Sequence, residues 1–257
     1  MDYKFILVIL LIGHFLGDFY FQSPSMLKQK GKKKRVMLAH GFIYLAVFMT
    51  PFLLLFLSSL AGWGLILLVP FLHITVDIIK ENILSRKHIL KKHSLALFVT
   101  AQAIHLLIAA IVAYIYATNI TVAYSTLGIL LSGIYANLHL GIPASQLLGL
   151  ACLFLFLGKP VNIFIRKTTA TDETLAPVFV AADQKAGRII GVLERYLTAV
   201  LILLGQYAAV GLAFTAKSVT RFDKISRDPD FAEQYLIGTM SSLLFAVTGT
   251  VLYMFVL

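Results

Sequence analysis

Two stretches of the chain share one spacing of chemically capable side chains. The first reads His14-Phe-Leu-Gly-Asp18, with Gln22 four residues on; the second reads His73-Ile-Thr-Val-Asp77, with Glu81 four residues on. Residues four apart lie on one face of a helix, with Cβ atoms roughly 5–6 Å apart. An imidazole and a carboxylate so placed can address one ion, or the carboxylate can orient the imidazole. His14, Asp18, His73 and Asp77 are therefore the expected metal ligands, with His40 a further ligand or general base and Gln22 beside the substrate. Zinc suits His with carboxylate and is the first expectation for a divalent cofactor; manganese or iron tolerates the same set. The plain alternatives are hydrogen bonds between helices for each histidine, and a lysine partner from the following basic run for Asp18.

The elements that must position these residues are membrane spans. Of 257 residues, 59% are hydrophobic and only 13% charged, against roughly a quarter charged in soluble domains. A soluble enzyme, a disordered chain and a fibrous repeat are excluded on that balance. A span needs about 20 apolar residues, and residues 36–76 and 94–158 contain no Asp, Glu, Lys or Arg. Continuous runs point to helices; a barrel would alternate. The expected fold is all-α, a polytopic helical membrane protein with about seven spans. The spans fall near 3–21, 36–57, 65–83, 95–117, 145–157, 189–216 and 235–257, and 121–138 is a short span, a re-entrant piece or an interfacial helix. Residues 5–16 read as a retained span, because positive charge follows them and no small-x-small cleavage site is evident. The organisation is a three-helix module carrying the His/Asp cluster (1–93), apolar middle helices (94–158), a polar, water-exposed insert (159–188) and a C-terminal helical pair (189–257).

Charge sets the orientation. Lys28, Lys30, Lys32, Lys33, Lys34 and Arg35 fall within eight residues, and Arg86, Lys87, Lys91 and Lys92 form a second cluster. Both are expected on the cytoplasmic side, which places His14, Asp18, His40, His73 and Asp77 at one membrane boundary. The run 28–35 is expected to meet anionic lipid headgroups, each basic residue contributing about 1 kcal/mol, and not nucleic acid. His88 and His93 lie in the second basic loop and read as solvated, and His105, deeper in its span with Gln102 three residues earlier, reads first as an interhelical hydrogen bond. The single cysteine, Cys152, reads as a packing residue.

A second polar set lies near the C-terminus. Gly187 and Gly191 form a small-xxx-small pair, followed by Glu194 and Arg195, then by Lys217 and Arg221. Glu194 is a candidate general base if its helix end reaches the level of the cluster. Lys217 and Arg221 could hold a phosphate group of the substrate, or could anchor a span end by snorkelling.

These motifs resemble a bacterial membrane family catalogued as domain of unknown function 3307. The resemblance rests on His14-x-x-Gly17-Asp18-Phe19-x-x-Gln22, His40 and His73-x-x-x-Asp77. It continues in Gly187-x-x-x-Gly191-x-Leu193-Glu194-Arg195, Ala216-Lys217-Ser218-x-x-Arg221-Phe222, and Phe231-Ala232-Glu233 through Leu236-Ile237-Gly238-Thr239. It implies a multi-pass protein of a bacterial inner (cytoplasmic) membrane and assigns no reaction.

Three functions remain in view. The leading expectation is a metal-dependent hydrolase with its site at the cytoplasmic leaflet, acting on a lipid-linked or amphipathic substrate. The second is a cation or proton transporter, disfavoured because the outer halves of the first three spans lack polar groups. The third is a non-catalytic scaffold or sensor that docks a soluble partner on 159–188. Self-association into a homo-oligomer is compatible with all three.

Overall fold

Asp2 opens the first helix, its carboxylate accepting the Lys4 N–H at 3.1 Å. Helix α1 (Tyr3–Phe15) passes into a π-helical turn, Leu16–Tyr20, and the short α2 (Pro24–Gln29) follows. Ser23 caps α2 by accepting the Met26 N–H at 3.2 Å, with Pro24 at the first helical position. Then come α3 (Lys34–Leu55), β1 (Phe56–Ser58), α4 (Leu60–Ser85), α5 (Ser94–Asn119), β2 (Val122–Tyr124), α6 (Thr126–Asn137) and α7 (Ala144–Leu157). The chain continues through α8 (Lys159–Thr169), α9 (Val180–Leu203), α10 (Tyr207–Val219), α11 (Phe222–Arg227) and α12 (Pro229–Val256). The structure, a computed structural model, describes residues 2–31, 33–85, 94–139, 141–169 and 180–256. Lys32, the basic loop with His88 and His93, and Asp172 and Glu173 of the insert lie outside them.

Among the described residues, six helical segments are long and apolar enough to cross a membrane. They are Tyr3–Tyr20, Lys34–Leu55, Leu60–Leu84, Ser94–Asn119, Ala144–Thr168 and Pro229–Val256, with Thr126–Asn137 a shorter apolar helix. Large apolar side chains such as Phe42, Phe71 and Leu244 stand exposed on them, which suits a lipid solvent better than water. The chain is a polytopic helical membrane protein.

Two compact units divide the chain, the first reaching Cys152 and the second Leu153–Val256. In the first, α5 packs against both α1 and α4, and α3 against α1 and α4. Their core includes Ile6, Leu10, Phe48, Phe52, Ile66, Ala113 and Tyr116. At one end β1 and β2 pair antiparallel, Leu57 opposite Ala123. Ser125 donates from its N–H to the Leu55 carbonyl at 2.9 Å and from its hydroxyl to the Leu54 carbonyl. Those are carbonyls that a helix end leaves without partners. In the second unit α12 packs on α9 and α8.

Two sequence expectations are corrected, and the open choice for 121–138 is narrowed. Segment 121–138 is a strand followed by a 12-residue helix, about 18 Å long at 1.5 Å per residue, too short to span. The border at 159 is not a helix end: the Gly158 N–H bonds the Phe154 carbonyl at 3.0 Å and the Asn162 N–H bonds the Gly158 carbonyl at 3.3 Å. Helix therefore runs on to Thr169 with Val161 buried, and the insert's other end, from Val180, is helical too. The span expected over 189–216 is two helices. Gly205, at φ +71°, ends α9: its N–H bonds Ile202 and the Gln206 N–H bonds Leu201, the paired closure of a glycine-terminated helix.

Candidate metal centre

Four helices of the first unit, α1, α3, α4 and α5, bring their polar residues to one place. His40 lies six residues into α3, about 9 Å from its start. His73 and Asp77 come from α4, and Asp18 from the π-helical turn that ends the first span. Such turns widen the helix locally and are frequent at functional sites. Gly17 in the same turn lets the Tyr44 ring approach, since a Cβ there would lie 2.7 Å from Tyr44 Cδ2.

Asp18, His40, His73 and Asp77 each offer a ligand atom, and these atoms lie within 4.8 Å of one another. None of the four residues is more than 8% exposed. His40 Nε2 stands 3.4 Å from both His73 Nε2 and Asp77 Oδ2, and His73 Nε2 is 3.4 Å from the same Asp77 oxygen. Asp18 Oδ1 is 3.6 Å from His40 Nε2 and 3.7 Å from His73 Nε2. These separations are long for hydrogen bonds. They are close to the roughly 3.3 Å edge of a tetrahedron whose ligands stand about 2.05 Å from a central ion. The donor set of two imidazole nitrogens and two carboxylates fits zinc, manganese or iron.

His14 is in the neighbourhood but not in that set, which corrects the expectation that it is a ligand. Gln102 Nε2 donates to Asp18 Oδ2 at 2.8 Å. A carboxylate only accepts, so the Gln102 amide is fixed in orientation and its Oε1 faces His14 Nε2 at 3.0 Å. That nitrogen must therefore carry the proton. His14 Nδ1 is then the acceptor, and the Tyr44 hydroxyl donates to it at 3.0 Å. Tyr44, His14, Gln102 and Asp18 thus form one directional chain that orients the Asp18 carboxylate; the tautomer is assigned from this network.

Lys30 is the largest departure from expectation. It was read within a lipid-facing run, yet its ammonium is buried and donates to Asp77 Oδ2, 3.9 Å from Asp18 Oδ1. This realises the lysine partner foreseen as the plain alternative for Asp18. Gln22 is buried beside it: in the amide orientation that satisfies both ends, it donates to the Asp18 carbonyl (3.0 Å) and accepts from Lys30 (3.2 Å). Lys80 holds the other Asp77 oxygen at 2.7 Å. Lys33, Lys34 and Arg35 remain exposed.

His105 also joins. Its ring lies 4.0 Å from that of His73, which also stacks on Tyr44 at 3.7 Å. His105 Nε2 is 3.9 Å from Asp77 Oδ1, and neither ring nitrogen has a hydrogen-bond partner among the described residues. His40 Nδ1 and His73 Nδ1 are likewise buried without partners. The interhelical hydrogen bond expected of His105 is not made. The signal available in the sequence was Gln102 and His105, three apart in an otherwise apolar span.

The second unit holds the other candidates. Arg195 is buried and donates to the Leu157 carbonyl (2.6 Å), Asn162 Oδ1 (2.7 Å) and Ser242 Oγ (3.1 Å). Glu194 pairs with Lys217 at 2.5 Å, so neither the proposed base nor the proposed phosphate ligand stands free. Arg221 is the residue preceding α11. A cavity of about 40 Å³ beside the pair is lined by Thr198, Thr239 and Ser242 as well, and has room for ordered water.

Fold and site together define a multi-pass membrane protein with a buried His/Asp cluster at one end of a four-helix unit. Residues 6–130, a segment that carries every cluster residue, match the model of the uncharacterised family described as "Protein of unknown function (DUF3307)". No curated protein and no solved structure matches the chain.

Proposed function

We propose that this chain is a membrane-embedded metal-dependent hydrolase of the bacterial inner membrane. Asp18, His40, His73 and Asp77 would hold a divalent ion, zinc first, near the cytoplasmic leaflet. The observation that supports this best is the set of 3.4–3.7 Å separations among their donor atoms in a buried place. A divalent ion in such a set supplies Lewis acidity toward water and toward a phosphoryl or carbonyl group.

The chain's own residues supply the rest. The Tyr44–His14–Gln102 chain fixes Asp18, and Lys80 fixes Asp77. Tyr44 stacks on His73 and the tilted His105 ring packs against it at 4.0 Å, which together restrain the His73 ring. His105, with both nitrogens unpartnered 3.9 Å from an Asp77 oxygen, is the group placed to hold a proton during hydrolysis. The depth of about 9 Å along α3 favours a lipid-linked or amphipathic substrate. Exposed Lys33, Lys34 and Arg35 would draw anionic headgroups toward it.

Elemental analysis of the detergent-purified protein beside a His40→Ala/His73→Ala variant tests the reading. One equivalent of metal in the wild type, absent from a folded variant, is the expected result. A metal-free wild type after chelator-free purification would sink it. Two carboxylates balanced by two ammonium groups, with no ion required, favour a second reading as a cation- or proton-coupled transporter. Flux into proteoliposomes that the Asp77→Asn variant abolishes would select it.

A further inference from the structure

We propose that Lys30 is a displaceable counter-cation: a divalent ion and the Lys30 ammonium exclude each other, and metal loading releases Lys30 with helix α2 from the site. This rests on the metal reading above and names how that site is regulated.

The Lys30 ammonium bonds Asp77 Oδ2, the same oxygen that both His40 and His73 face at 3.4 Å. An ion drawn to those three atoms would compete with the Lys30 ammonium for that oxygen. Charge gives the second reason. Asp18 and Asp77 carry two negative charges, and Lys30 and Lys80 two positive ones. Glu81, 3.7 Å from Lys80 at the more exposed edge, adds a third negative charge. A divalent ion added beside an unmoved Lys30 would leave positive charge in excess in a buried, low-dielectric place, where like charges repel strongly.

Attachment gives the third. Asp18, His40, His73, Asp77 and His105 all ride on membrane-spanning segments. Lys30 does not: it follows a six-residue helix, α2, that packs on α3. It can leave without moving a span. Among the described residues, the side-chain tethers of its ammonium are the two carboxylates and the Gln22 amide. Once out, it joins exposed Lys33, Lys34 and Arg35, and the basic run regains the lipid-facing charge that the sequence led one to expect.

Zinc affinity measured by equilibrium dialysis for the wild type and Lys30→Met, with hydrogen exchange of amides 25–31 in the wild type with and without zinc, tests this. Lys30→Met is expected to bind zinc about tenfold tighter or more, one competing ion pair having been removed. Amides 25–31 of the wild type are expected to exchange faster once zinc is bound. Zinc binding by Lys30→Met alone would overturn the proposal, because metal loading would then never release the wild-type lysine. Equal affinities with unchanged exchange would overturn it and leave the metal site standing. Binding by neither protein would overturn both. If Lys30→Met does not fold without metal, the wild-type exchange experiment decides: greater protection of 25–31 on zinc binding would refute the release.

Discussion

Both units bury charge in an apolar setting, and they treat it in opposite ways. Arg195 in the second unit spends its guanidinium on a backbone carbonyl, an amide oxygen and a hydroxyl, all within 3.1 Å. The cluster in the first unit leaves all six ring nitrogens of His40, His73 and His105 either without a partner among the described residues or at 3.4 Å and beyond. A buried charge with short, complete bonding is a fastener. Buried donors that crowd one point without satisfying each other are arranged for something else to arrive.

The sharpest way to break this contrast is Arg195→Leu. If Arg195 is a fastener, its loss should cost about 3–5 kcal/mol of stability, seen as a large fall in the thermal midpoint in detergent, while the protein that remains folded keeps its metal content. Loss of metal without loss of stability would merge the two sites. Next in size is Gln102→Leu, which cuts the link from His14 to Asp18. Metal affinity should fall about 10–100-fold, with little change in unfolding temperature. An unchanged affinity would show that Asp18 needs no orientation. The smallest expected effect is Tyr44→Phe. It removes one hydroxyl from His14 but keeps the stacking on His73, so stability should drop by about 1 kcal/mol and metal affinity only a few-fold. A loss as large as that of Gln102→Leu would mean that the His14 tautomer itself controls the site.

How far the sequence reached depended on whether local spacing survived into three dimensions. His73 and Asp77 sit on an unbroken helix, and their i,i+4 spacing became a 3.4 Å contact. The same spacing at His14 and Asp18 did not, because the π-helical turn at Leu16–Tyr20 intervenes and a residue 84 positions from Asp18, Gln102, bridges them. The long uncharged runs gave spans 36–57, 65–83 and 95–117 close to where they fall, since a backbone in lipid must close its own hydrogen bonds. The helix continuing past 159 was hidden because composition changed there while backbone pairing did not. Which lysine of a six-member basic run turns inward depends on where Ser23 and Pro24 start α2, and no periodicity reports that.

The strand pair has a mechanical meaning. β1 and β2 bind together the ends of α3, α4 and α5 that lie farthest from the cluster; from Leu55 back to His40 is about 22 Å of helix. Three rods lashed at one end behave as a tripod held at its apex. A tilt of roughly 5° about that apex displaces the far ends by about 2 Å over such a length, comparable to one metal–ligand bond. Small motions are amplified where the histidines and aspartates stand and damped where the strands are, so the fold keeps its shape at one pole and its adjustability at the other.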